Sequence, residues 1–461
     1  MVSVDPSLAI TAPIPPVDAD ESDVSNLNAV EKRSLVLSSL FRILGTPVIA
    51  LAGIVAAGIV IRATGETTYG LVTLVSTVGL LLPFADLGIG AVAMNAVSTT
   101  RTPASDDHVL DVVRAAFRSL AVVAVVITLL ALIVMAFDQW HTIIGLSTGS
   151  QDRWAITVAV VVFAWTIPAG IGVRLLIGHD KNELAVVSFM ANSILGLGIT
   201  VVMYQLGIRG IWFVLPALLG ALLGNLGSML VGLKITGIGR SIFGHVTTGV
   251  TPRTMLRGSM WLFFVSLGIP FGVQVQRIVL SHLSTPTQLS RYALMAQIFG
   301  IGWSVLSTAS LSFWPIFIKR RADSAATISL WVRTTVIFGV VAILGAVAMV
   351  FLGPWIGELI SGGAITISTT LAGAFALLLV AQSIHLPSGV LLTNPSGARW
   401  QTFCLAAMAV LTLAGCVYVA PRHGAAGVVA VTAAAVVLSQ VIPDLVSVPR
   451  LVRRRTAEET S

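Results

Sequence analysis

The 461 residues are 56% hydrophobic and only 10% charged, with a mean hydropathy of +0.95, a balance that excludes a water-soluble globular chain and makes lipid the solvent for most of it. A net charge of +7 does not point to a nucleic-acid partner, because the basic residues fall at the ends of apolar runs and not on one patch. Cys404 and Cys416 share one apolar run, about three helical turns apart and on different faces, so they imply neither a disulfide nor a metal site.

Residues 1–30 are Pro-rich and acidic (Asp5, Asp18, Asp20, Glu21, Asp23), lack the apolar core of a cleavable signal, and read as a disordered cytoplasmic tail. Runs of about 20 apolar residues suffice to cross some 30 Å of hydrocarbon. In chain order they fall at roughly 41–61, 70–97, 115–137, 154–177, 184–204 and 208–233, then 260–283, 292–317, 331–352, 365–388, 403–419 and 425–447. This predicts an all-α polytopic membrane protein with about twelve transmembrane helices in two six-helix halves. The N-terminal half covers 31–233, a cytoplasmic linker 234–259, the C-terminal half 260–447, and a basic cytoplasmic tail 448–461.

Placing the N-terminus in the cytoplasm assigns every loop a side, and 21 of the 27 basic residues then fall inside. Only Arg62, Arg153, Arg209, Arg291 and Arg422 fall outside, and Arg277 is left within a span. One missed helix would scramble this asymmetry downstream, so both termini are expected in the cytoplasm of a bacterial inner (plasma) membrane protein. Trp140, Trp154, Trp212, Trp261, Trp331, Trp355 and Trp400 lie near predicted span ends, where an amphipathic indole is favoured.

The halves read as weak repeats. Pro47 precedes Tyr69-Gly70-Leu71 by 22 residues, and Pro270 precedes Tyr292-Ala293-Leu294 by the same 22. Six-plus-six parallel repeats place a substrate site between the halves.

Arg277 is the most informative residue, since a cation inside a span is costly unless it faces water or a partner. With Ser266, Pro270, Gln274 and Ser281 it forms a polar stripe on the seventh helix, and Gln297, Gly300, Ser304 and Thr308 form one on the eighth. Two facing stripes would make a hydrated lumen; the alternative is that Arg277 snorkels to the outer interface. Arg42 and Arg62 bracket the first helix as substrate contacts or as topology anchors. Asp86, the acidic residue of the first six spans, is a candidate for a coupling cation or proton, or a structural partner at a helix end. His385, one turn from Gln382 in the tenth span, reads as a partnered interior histidine or a proton relay. Asp106-Asp107 reads as a solvated cytoplasmic turn. Prolines at 47, 83, 168, 216 and 270 interrupt spans, and Gly220 and Gly224 form a small-xxx-small pair.

No P-loop is present, so this chain is not expected to hydrolyse ATP. A sugar-transferring membrane enzyme would carry an acidic pair in a sizeable first external loop; here that loop is about seven residues with Glu66 alone. A transporter without cofactor or metal is expected, not an enzyme.

The run Arg62-Ala63-Thr64-Gly65-Glu66-Thr67-Thr68-Tyr69-Gly70-Leu71, followed by Leu80-Leu81-Leu82-Pro83-Phe84-Ala85-Asp86-Leu87-Gly88-Ile89-Gly90, resembles the opening of Wzx-type polysaccharide flippases, a branch of the MATE-like MOP exporters. Gln276-Arg277-Ile278-Val279-Leu280 and Tyr292 stand where that family begins its second half. Two departures are present: Gln276 replaces the acidic residue that often precedes the arginine, and Thr46-Pro47 replaces the Arg-Asp pair expected after Phe41-Arg42-Ile43-Leu44-Gly45 in lipid II flippases. The resemblance implies flipping of a polyprenyl-diphosphate-linked oligosaccharide from the cytoplasmic to the outer leaflet for polysaccharide biosynthesis. The implied partners are the lipid-linked glycan, membrane lipids and a polysaccharide polymerase with its assembly proteins. Arg277, Gln274, Arg42, Arg62, Gln297 and Ser304 would contact the substrate and Asp86 would couple it to a gradient. The competing readings are a MATE-like drug or cation antiporter and a lipid II-type flippase. Reporter fusions at Gly65, Ser147 and Gly362 should read external, and fusions at Asp106, Gly244 and the C-terminus internal; an inverted pair in that series would break the topology.

Overall fold

The computed structural model describes residues 29–77, 88–145, 149–246, 275–311, 313, 316–317, 320, 323–392 and 395–460. All regular structure among them is helical, as lipid requires, since a backbone N–H or C=O left without a partner in hydrocarbon costs several kcal/mol. Nine stretches are long and apolar enough to cross a membrane, and two of these are themselves divided by a glycine.

The first is α1 (Ala29–Ser76), whose helical path breaks at Gly65 (φ 77°, ψ 172°). That region of backbone space is open to glycine alone, so the chain reverses there at a single residue. The external loop of about seven residues expected between the first two spans is therefore absent, and both limbs are helical up to the turn. Likewise α13 (Pro395–Val436) breaks at Gly424 (φ 54°, ψ −143°), separating the eleventh and twelfth expected spans. Between these lie α2 (Ile89–Ser98), α3 (Asp107–Ala136), α4 (Trp140–Ile144), α5 (Ser150–Ala169), α6 (Ile171–Gly178), α7 (Asn182–Gln205) and α8 (Leu215–Ile235) in the first half. The second half contains α9 (275–283), α10 (Pro286–Leu311), α11 (Ser324–Ser361) and α12 (Thr369–Leu391); a π-helical turn (Val437–Val441) leads from α13 into α14 (Ile442–Thr460). The succession fits twelve passes. Pro83, Ser266 and Pro270, like the 1–28 part of the expected tail, lie outside the described residues.

Helix starts are set by local chemistry. The Asp106 carboxylate accepts from Val109 N at 3.1 Å, which makes Asp106 the N-cap of α3 at the partly exposed turn expected there. Asp323 caps α11 through Ala326 N at 3.0 Å, and Ser368 caps α12 through Leu371 N at 3.2 Å.

Small residues set the packing of the first half. A methyl group on Gly220 of α8 would lie 2.5 Å from Gly196 N of α7, and one on Gly172 of α6 would lie 2.2 Å from Met229 N of α8. These backbones touch, which is how membrane helices associate when lipid is as apolar as their side chains. The outward faces are apolar: Val122, Val126, Leu129 and Ile133 on α3, and Val340, Leu344, Val347 and Phe351 on α11, are all exposed. In water they would form an untenable patch; in a bilayer they meet acyl chains.

The α1 helix pair packs against α7 in its own half and against α10 and α11 of the other. Turns expected on the outer side meet at one end of the bundle: His282 Nε2 stands 3.2 Å from Thr142 O, and Ala425 N donates to Gln288 Oε1 at 3.1 Å. At the other end Arg114 Nε donates to Ser241 O at 2.7 Å and Arg118 Nη2 to Gly244 O at 2.5 Å, holding the first part of the basic linker on α3.

The backbone contact at Gly172 makes a sharp test. Gly172→Ala should collapse the yield of folded protein, because backbone cannot retreat from a 2.2 Å contact, whereas Gly198→Ala in the same half, with nothing within 4 Å of the added carbon, should leave yield and Tm unchanged or slightly raised. Size-exclusion yield and thermal unfolding of the two purified variants decide it.

Candidate functional site

The seam between the halves is built from α1, α9 and α10. Helical spacing on α9 turns Gln276 inward and leaves Arg277 half-buried beside it. Gln276 is a link in a buried polar chain: Tyr292 O–H of α10 donates to its Oε1, and its Nε2 donates to Thr432 Oγ1 of α13 at 2.9 Å. With every member bonded, the chain is affordable in a low-dielectric interior. It ties α9, α10 and α13 into one unit and fixes the backbone from which Arg277 projects.

Arg277 reaches across the seam. Its Nη1 donates to Thr73 O of α1 at 3.4 Å, and its Cζ lies 5.8 Å from the centroid of the Tyr292 ring, within cation–π range. It also acts electrostatically on the buried Tyr69 of the opposite half. The guanidinium thus sits between the two tyrosines that mark the repeat. Its described contacts are one long hydrogen bond to a carbonyl and the Tyr292 side chain, which together leave most of its five N–H groups able to bind a ligand.

Tyr69 O–H donates to Gln297 Oε1 of α10 at 3.4 Å. The pseudo-symmetry explains why this partner comes from the other half. Gln276 lies 16 residues before Tyr292, and the residue at the same offset before Tyr69 is Gly53. Gly53 offers no side chain to its tyrosine, and Gln297 fills the space over it, with Nε2 3.4 Å from where a Gly53 Cβ would stand.

The end of the seam expected to face outward is closed by further bonds between halves. Ser290 O–H donates to Glu66 O, and Arg291 Nε pairs with Glu66 Oε1 at 3.2 Å. Gly58 lies against Ile360, where an added Cβ would meet the carbonyl at 2.8 Å. The described hydrogen bonds between halves, including those of His282, Arg277 and Tyr69, all lie in the part of the bundle expected to face outward. This structure is closed at that end.

The expected contacts divide accordingly. Arg277 and Gln297 meet in the seam. Arg62 is exposed at the outer rim, with Nε 3.5 Å from a Cβ built on Gly362, apart from Arg277. Ser304 Oγ bonds back to Ile301 O at 2.8 Å and does not join the cluster, although Gln297, Gly300 and Ser304 are all partly exposed along one face of α10. Ser281 departs from its expected place in an open stripe: it is buried, and its hydroxyl donates to Ile278 O at 2.9 Å. Gln274, Asp86 and the side chain of Arg42 lie outside the described residues.

Three relationships were not legible from the sequence. The pairing of Glu66 with Arg291 spans 225 residues, the tyrosines were repeat marks without a role, and His385 and Asp444 were separate residues. In the structure His385 Nδ1 and Asp444 Oδ2 stand 2.7 Å apart. Only the tyrosine motif carried a signal, through its repetition.

A two-half helical bundle with a cation held in the seam and one end shut defines a polytopic membrane transporter. The chain belongs to the polysaccharide biosynthesis protein family, whose model matches residues 35–320, more than half of its length. A search of curated proteins finds no match. Among solved structures it is similar to an inward-facing multidrug resistance MATE family transporter of the MOP superfamily, with a TM-score of 0.64 at 13% identity over 92% of this chain and 99% of that one. It is also similar to the lipid II flippase MurJ in an inward closed conformation, with a TM-score of 0.64 at 13% identity over 89% and 87% of the two chains. A MOP superfamily transporter from Pyrococcus furiosus gives a TM-score of 0.57 at 14% identity over 94% and 97%. The chain has the MOP fold.

Closure at the outer end predicts a cross-link. With Cys404 and Cys416 replaced, Glu66→Cys with Arg291→Cys should form a disulfide on mild oxidation, and reduction should release it. Failure of both oxidation and a short bifunctional thiol reagent to join the two cysteines would mean that the two halves do not meet there.

Proposed function

We propose that this transporter flips a polyprenyl-diphosphate-linked oligosaccharide from the cytoplasmic to the outer leaflet of a bacterial inner membrane, by alternating access between its two six-helix halves. The observation that carries the reading is Arg277, a guanidinium in the seam with one carbonyl contact. A diphosphate cannot cross hydrocarbon bare, and a fixed guanidinium can hold it bidentately while the prenyl tail remains in lipid. Gln297 and Tyr69 add neutral hydrogen-bonding groups beside it, suited to sugar hydroxyls. The bonds of Glu66, Ser290, Arg291 and His282 would break when the outer end opens, and the halves would rock about the seam.

The sign of the charge separates the alternatives. A carrier of organic cations needs a carboxylate facing its cargo, whereas the described part of this seam presents a cation, and Glu66 at its rim is already paired with Arg291. The lipid II branch is disfavoured by Thr46-Pro47. In this reading both termini and the 234–259 linker face the cytoplasm, and the flipped glycan is handed to a polymerase and its assembly proteins. Arg42, Arg62, Gln274 and Ser304 are further candidate contacts along the path, and Asp86 a candidate for coupling.

Arg277→Lys should keep partial flipping because a point charge remains, and Arg277→Gln should abolish it at normal protein abundance. Losing the charge-assisted contact is worth about 1.5 to 3 kcal/mol, or about one to two orders of magnitude in binding. The measurement is flipping of a lipid-linked oligosaccharide per mole of reconstituted protein. Undiminished specific activity in Arg277→Gln would remove this residue from the mechanism.

A further inference from the structure

A second ionisable group lies away from the seam, wholly inside the C-terminal half. His385 is on α12, and Asp444 is in the first turn of α14, directly after the π-helical turn Val437–Val441. The Asp444 side chain is 4% exposed and that of His385 21%. Asp444 Oδ2 is met by His385 Nδ1 at 2.7 Å, while Asp444 Oδ1 is buried with no hydrogen-bond partner. An orphaned carboxylate oxygen in a low-dielectric interior is costly, and among the described residues Asp444 is the one carboxylate left with such an oxygen. A π turn, which also costs regular hydrogen-bond geometry, recurs at functional positions in helices.

The surroundings do not neutralise the carboxylate. On the elements packed about it, Arg333 of α11, Arg399 of α13 and Arg450 of α14 are all exposed and bond to neither member of the pair. Cys404 of α13 is close enough to feel Asp444 electrostatically, and Gln440 of the π turn is buried and uncharged. With neutral imidazole donating its Nδ1–H to Asp444, the pair carries one net negative charge in the bundle. A proton from water taken up at His385 Nε2 turns it into an imidazolium–carboxylate pair of zero net charge, and its release restores the first state. A metal cation is poorly served: no group of three or more His, Cys, Asp or Glu side chains gathers among the described residues, and hard cations need several oxygens.

We propose that His385 and Asp444 form a proton-binding site, and that its occupied and empty states favour different arrangements of the two halves. The use of that proton in a transport cycle rests on the flippase reading; the binding itself does not. His385 stands two turns before the end of α12 that the positive-inside pattern places at the cytoplasm, and its side chain is partly exposed.

The test uses the full-length protein with two readouts that need no substrate. In ¹⁵N-histidine NMR, the His385 signal, assigned by its loss in His385→Gln, should respond to pH with a single midpoint, and Asp444→Asn should displace that midpoint. Cross-linking of Glu66→Cys with Arg291→Cys should then change severalfold in yield across that midpoint and become flat with pH when His385→Gln is added. The glutamine removes the titratable ring while keeping an amide donor of similar length, and its Tm verifies folding. A His385 signal that does not titrate, or cross-linking that keeps its full pH dependence in His385→Gln, overturns the proposal, as does cross-linking that follows sodium at constant pH and not pH. Titration together with absence of any lipid-linked glycan flipping would instead overturn the flippase reading and leave the proton site standing.

Discussion

Every feature of this molecule answers to the absence of water around its backbone. Hydrocarbon cannot hydrogen-bond an exposed peptide group, so the described chain is helical through the lipid, and it reverses where a single glycine can do so without a loop. Gly65 and Gly424 are those places. The same constraint acts on side chains: Gln276 is tolerable because Tyr292 and Thr432 complete its bonds, and Arg277 because it lies between the halves and not against lipid.

The seam is organised by two tyrosines at corresponding places in the halves, whose partners differ. Each half opens its second helix with a tyrosine whose hydroxyl needs a partner. In the C-terminal half the partner is Gln276, sixteen residues earlier and on the preceding helix. In the N-terminal half that place is Gly53, and Gln297 crosses over to serve Tyr69 instead. An internal hydrogen bond has become a contact between halves. Together with Arg277 and Thr73 it makes the seam polar where the repeats meet, which is where a carrier of this architecture exposes its cargo.

Charge is distributed with the same economy. Surface cations mark the bundle ends, the Glu66 and Arg291 pair joins the halves at one end of the seam, Arg277 is held in the seam by Thr73 and Tyr292, and the His385 and Asp444 pair is confined to one half. Seam and pair are separate sites, joined through the helices of the C-terminal half. A change of charge at the pair can bias the halves only by shifting α12 and α14, which pack on one another and on α11.

The sequence by itself determined the solvent, the helical class and the approximate number of spans, because composition and run length are local quantities that lipid reads directly. It also misled locally: the loop of about seven residues expected between the first two spans is a turn at one glycine, since glycine's conformational freedom leaves no mark in a hydropathy profile, and Ser281 turned inward because a hydroxyl can bond its own helix. What Arg277 touches, which glutamine serves which tyrosine, and that Asp444 lies against His385 were decided only in the tertiary structure. Each joins residues far apart in the chain, and such a pairing depends on how helices pack, which no local property of either residue encodes.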